Sequence, residues 1–154
     1  MKKINITAIF IIGILGFCSA QKYVPVDNAS VLEKHQLIIE QAYPADFQQK
    51  VVEAIYDVDE NHTLIAYRQV GNVYTEDLVH NHNGESNIIA NFTAIPMEKV
   101  PAIVKDAYAK LSSETVNRYF VVSGTYEGGE YYCLDTDSER YYFSRLGVRQ
   151  DPPR

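Results

Sequence analysis

Asn83-Gly84 lies between VYTEDLVHN and ESNIIANFTA, two runs rich in β-formers. An Asn-Gly loop suits the type I′ turn, whose twist matches that of two antiparallel strands, so this stretch predicts a hairpin. Gly71-Asn72, Gly128-Gly129 and Asp137-Ser138 are further turn signals. Between them lie HTLIAYRQV, TVNRYFVVSGTY, YYCLDT and RYYFSRLGV, all rich in β-branched and aromatic residues. The second half of the chain is therefore mostly antiparallel sheet, and RQDPPR closes it as a tail that cannot extend that sheet.

Two segments carry a helical period instead. From Asp46, an N-cap candidate, apolar residues fall at Phe47, Val51, Ala54, Ile55 and Val58, which predicts a helix with one buried stripe. KVPAIVKDAYAKL predicts another, with Pro101 in the first turn and a stripe of Val100, Ile103, Val104, Ala107, Tyr108 and Leu111. Upstream, Ser30 and Glu33 form a capping-box pattern, so Val31 to Ala42 reads as a short helix, with a strand open for QLIIEQ. The order helix, strand, turn, strand, turn, strand occurs in both halves. The expected class is α+β, with helices packed on one face of an antiparallel β-sheet, in two tandem helix-plus-sheet units over 44–94 and 95–150. An arm and short helix over 21–43 precede them, and 151–154 trail behind. The alternative is one helix-plus-curved-sheet domain with evenly spaced turns.

The first twenty residues read as a signal peptide: MKK, an apolar run from Ile4 to Leu15, then small residues before a cut between Ala20 and Gln21. Acylation at Cys18 would want a small residue in front of it, and Phe17 stands there. The expected destination is secretion across the inner membrane into the periplasm, without membrane insertion after cleavage. Loss of Lys2 and Lys3 takes the formal charge from −6 to −8, which argues against nucleic acid and anionic lipid as partners. Only Cys133 then remains, so no internal disulfide forms and the core rests on burial. The leader is of a bacterial type, so the sequons at Asn28, Asn61 and Asn91 read as chance matches.

Residues 95–148 resemble the PepSY-like proteins of the β-lactamase-inhibitor-like group, secreted bacterial proteins with a Pro-led helix followed by aromatic strands. The matching positions are Val100, Pro101, Val104, Gly129, Tyr132, Leu134 and Gly147, and 44–92 match as a degenerate copy. Asp137-Ser138-Glu139-Arg140 departs from the pattern, because the family often has glycine in that turn. The resemblance implies tandem units, secretion, and a binding or inhibitory role without catalysis or cofactor.

Candidate chemistry is sparse. In HNHNGE, His80 and His82 point the same way on a strand, and Glu85 or Asp77 is placed to complete a metal set; the plainer reading is a polar strand end before a turn. His35 and His62 would have to arrive from elsewhere. The carboxylates at 57–60 and 135–139 sit beside turns, where Asp is favoured for local hydrogen bonding. No serine has a nucleophile-elbow setting. That leaves twelve tyrosines, six of them between Tyr119 and Tyr142. Alternation places one member of each Tyr-Tyr pair outward, either as a binding anchor or as a shield over the sheet. Tyr119, Tyr131 and Tyr141 are the candidate contacts for an unidentified envelope or extracellular protein. The rival is a cystatin-like or nuclear-transport-factor-like domain with a pocket for a small ligand or a hydrolytic reaction, which a convergent His and Asp would favour.

Overall fold

The structure, a computed structural model, describes residues 22–25, 33–43, 51–69, 71–124 and 129–153. The leader, its cleavage site, Asp46 and Phe47 lie outside these residues. Strands β1 (Lys22–Pro25), β2 (Val51–Asp57), β3 (His62–Arg68), β4 (Tyr74–His82), β5 (Glu85–Ile95), β6 (Arg118–Gly124), β7 (Tyr131–Asp135), β8 (Arg140–Ser144) and β9 (Arg149–Gln150) pair in chain order. Every pairing is antiparallel, so the chain makes one continuous meander. Helix α1 (Glu33–Ala42) precedes β2, and α2 (Ala102–Ala109) joins β5 to β6. The class is α+β. Asn83 and Gly84 both have positive φ, as do Gly71 and Asn72, the backbone a type I′ turn requires. No helix among the described residues is long and apolar enough to cross a membrane.

Three expectations are corrected. The helix predicted over 46–58 is a strand from Val51 to Asp57, and a bulge at Glu53 is the reason. Val51 pairs with Arg68 and Ala54 with Ala66, two apart on β3, so the extra residue sets two positions of the predicted stripe three apart in matching register, a helical spacing. The α2 stripe is narrower than predicted: Val100, Val104 and Tyr108 are buried, whereas Ile103 and Leu111 are about half exposed. The last strand ends at Ser144 and turns back through Gly147, so the start of the expected tail, Arg149–Gln150, pairs with β8 after all.

Glu76 on β4 and Arg140 on β8 stand four strand spacings apart, about 19 Å on a flat sheet. Their side chains nevertheless meet, with Nη1 and Nη2 of Arg140 donating to the carboxylate at 2.7 and 3.1 Å. The sheet is therefore curled until β4 faces β8 across its concave side. Leu64, Leu78, Phe92, Phe120, Cys133 and Tyr142 form the core there. The rings of Phe92 and Tyr142, three strands apart, come within 6.3 Å. Both helices lie on the convex side. Ile39 and Tyr43 cover Ile55, Ile65 and Val79, while Val104 and Tyr108 cover Leu134, Tyr141 and Phe143. The halves join where Ala90 pairs with Gly124; a Cβ at Gly124 would run into the Ile89 carbonyl, so this close approach requires glycine.

Cys133 is completely buried in the concave core, and burial pushes its thiol up to about 12. The native protein should accordingly resist a thiol reagent such as DTNB at neutral pH, labelling only at its rate of unfolding. Immediate stoichiometric labelling without denaturant would mean the concave side is not closed.

Candidate functional site

The three candidate tyrosines do not share a surface. Tyr141 pairs with Leu134 across β7 and β8, which puts it under α2 with its ring edge-on to Tyr108 at 5.1 Å. It is 7 % exposed, so the expectation that it stands outward is corrected. Alternation told which residues share a face, but not that α2 covers this one. Tyr131 is half-buried on the concave side, 6.2 Å from the Tyr142 ring. Tyr119 is half-buried on the convex side at the margin of the α2 cluster. Every tyrosine whose side chain is described is buried or half-buried. Several end on polar partners: Tyr43 donates to Asp77, Tyr74 to Glu76 at 3.0 Å, and Tyr108 to the Glu114 carbonyl at 2.8 Å. Much of the tyrosine content therefore spans from core to polar group, which a buried phenol needs.

What remains uncovered lies on the convex side between the helices. The clusters under α1 and α2 stop short of Val121, half-exposed, and Ser123, exposed, on β6. Asn91 and Thr93 of β5 pair with Ser123 and Val121, and Tyr132 of β7, which packs against the edge of the α2 cluster, lies opposite Val121. These side chains form a strip across three strands, half-exposed except for Ser123. At one end Ile88, Ile89, Asn91, Ser123 and Gly124 line a shallow groove of about 210 Å³.

A buried carboxylate braces the strip from the neighbouring strand β4. Asp77 is 2 % exposed and accepts from the Tyr43 hydroxyl and from Asn91 Nδ2, the latter at 2.6 Å. Asn91 Oδ1 in turn accepts from Thr93 Oγ1 at 2.9 Å. Burial, reinforced by Asp77, holds the Tyr43 phenol far above its ordinary value, so it remains a donor. The Asn91 amide is thereby held by bonds at both ends, a preorganised polar group on an exposed surface.

Sequence reasoning considered Asp77 only as a metal ligand and Asn91 only as a sequon. A signal was present in TEDLV. Two adjacent acids inside a strand must point to opposite faces, and both faces prove buried, Glu76 inward to Arg140 and Asp77 outward to Tyr43. The other carboxylates do not gather. Asp57 meets His35 Nε2 at 2.8 Å, Asp135 accepts from Arg140, and Asp137 accepts from Asn117. His80 and His82 project from the concave face, away from the strip. No family model and no curated protein matches this chain, so the PepSY-like resemblance rests on its own residues between 95 and 148.

Proposed function

We propose that the mature chain is a secreted, non-catalytic binding protein, inhibitor-like in its mode of action, that engages an envelope or extracellular protein through the convex strip of β5 and β6. The observation that supports this is the distribution of cover. The concave side is filled by its own core, both helices sit on the convex side, and between them Val121 and Ser123 carry no helix. A helix followed by four antiparallel strands occurs twice, α1 with β2 to β5 and α2 with β6 to β9, which favours tandem PepSY-like units sharing one sheet. The acidic balance favours a partner with a basic patch and a fast, salt-sensitive encounter. The pocket reading has less support, because the convergent pair under α1, His35 and Asp57, is engaged in its own hydrogen bond and His35 is completely buried.

Capture of envelope proteins on tethered residues 21–154, at low and physiological salt, tests this reading. A captured partner should bind the Val121→Arg/Ser123→Arg variant at least 10-fold more weakly, and Tyr132→Ala about 30-fold more weakly if it is an anchor of the size such tyrosines reach. Tyr131→Ala, on the other side of the sheet, should bind as wild type. A partner indifferent to the paired arginines would remove the convex strip from consideration.

A further inference from the structure

His80 and His82 alternate with Asn81 along β4, so both imidazoles project from the concave side of the sheet. β3 begins at His62, and the register sets His62 directly opposite His80. The third histidine that HNHNGE lacks in sequence thus arrives from the neighbouring strand. Ring centres are 4.9 Å apart for His62 and His80, and 5.8 Å apart for His80 and His82. With nitrogen about 2.0 Å from zinc in tetrahedral geometry, neighbouring imidazole centres come about 5 Å apart. We propose that His62, His80 and His82 bind a divalent transition-metal ion of the zinc type.

Asp59 carries the argument further. Its carboxylate oxygens both lie 2.9 Å from His62 Nδ1, so that nitrogen donates, and in the neutral ring Nε2 carries the lone pair. A carboxylate on the outer nitrogen is the usual support of a metal-ligating histidine, fixing its tautomer and ring orientation. His62 Nε2, meanwhile, is buried with no hydrogen-bond partner among the described residues. A buried polar nitrogen left unpaired is costly, and a metal ion would satisfy it.

The rings lie 21° and 17° from parallel, and no three of the described His, Cys, Asp and Glu side chains converge on a point as they stand. Binding therefore requires the His80 and His82 imidazoles to turn about their side-chain bonds towards His62 Nε2, which Asp59 holds in place, without movement of either strand. His82 is exposed and its Nε2 lies 2.9 Å from the Asn83 amide, an exchangeable partner. His80 is half-exposed, which leaves room for water as a fourth ligand. Three imidazoles suit zinc, copper or nickel and disfavour magnesium and calcium, which take oxygen. This site lies on the opposite face from the convex strip and does not depend on the partner-binding reading.

Tag-free residues 21–154 should be titrated with Zn²⁺ in competition with a chromophoric chelator, and with Co²⁺ for its visible absorption. One ion per chain with micromolar or tighter affinity is expected, together with the intense bands of tetrahedral cobalt. His62→Ala, His80→Ala and His82→Ala should each weaken binding about 100-fold, and Asp59→Asn about 10-fold. At zinc about tenfold above the wild-type Kd, the melting temperature of wild type should rise while those of the three alanine variants stay nearly unchanged. His82→Ala is at an exposed position, so its loss of binding is readable without loss of fold. No binding at millimolar zinc, or undiminished binding by the triple alanine variant, would overturn the site.

Discussion

Arg140→Met should destabilise the fold by about 3–5 kcal/mol, the cost of leaving a buried carboxylate without its cation. Glu76 is 2 % exposed at its side chain and Arg140 18 %, and the pair is bidentate. Arg140 Nε also donates to Asp135 at 2.9 Å, and its guanidinium lies 5.4 Å from the Phe120 ring centre and 5.6 Å from that of Phe92. Methionine preserves the apolar stem over those rings while removing the charge. Among the described residues Glu76 would then keep the Tyr74 hydroxyl at 3.0 Å and Arg118 at 4.0 Å. Urea unfolding read as a shift in midpoint at constant slope measures the loss. Adding Glu76→Gln should recover more than half of it, since the unpaired charge and not the missing contact is the larger cost. A loss under about 1 kcal/mol would mean that the ion pair does not tie β4 to β8, and that hydrophobic burial alone sets the curl.

That tie also marks the limit of what the sequence discloses. The hairpin at Asn83-Gly84 was legible because its cause is local: two residues that tolerate positive φ, flanked by β-formers. The Pro-led helix α2 was legible for the same reason. β2 was misread because a single extra residue at Glu53 turns a strand's period of two into an interval of three. Tyr141 was misplaced because period two assigns residues to faces without saying which face a helix will cover. The curl was not legible at all, since it depends on Glu76 and Arg140, 64 residues apart, meeting across four strands. The histidine site falls between these cases. Two ligands are local in HNH, and the third is set opposite them by strand register alone.

Above pH 10 the protein should lose stability steeply, and three buried phenols are the reason. Tyr43, Tyr67 and Tyr142 are 5 %, 2 % and 8 % exposed, and burial holds each above the ordinary tyrosine value, with Asp77 adding to the effect at Tyr43 and Tyr67. In the unfolded chain these groups ionise near pH 10, whereas in the folded chain they stay protonated well beyond it. Past that point the unfolded state binds fewer protons than the native state, so the free energy of unfolding falls as pH rises. Each phenol contributes roughly 1.4 kcal/mol per pH unit while its folded form remains neutral, and the three together roughly 4 kcal/mol per unit. Against a total stability of about 5–15 kcal/mol, the unfolding midpoint should fall between about pH 11 and 14. Absorbance at 295 nm counts tyrosinates, and far-UV circular dichroism on the same titration reports the fold. The tyrosinates of these three, and of Tyr74, whose phenol is likewise held high by burial and by Glu76, should appear only as the dichroism collapses. Tyr43→Phe should reduce the slope by about a third, although it starts about 1–3 kcal/mol lower at neutral pH because Asp77 loses its donor. Full tyrosinate absorbance near pH 10 with native dichroism intact would show these phenols in contact with solvent, and both the concave core and the α1 interface would then have to be redrawn.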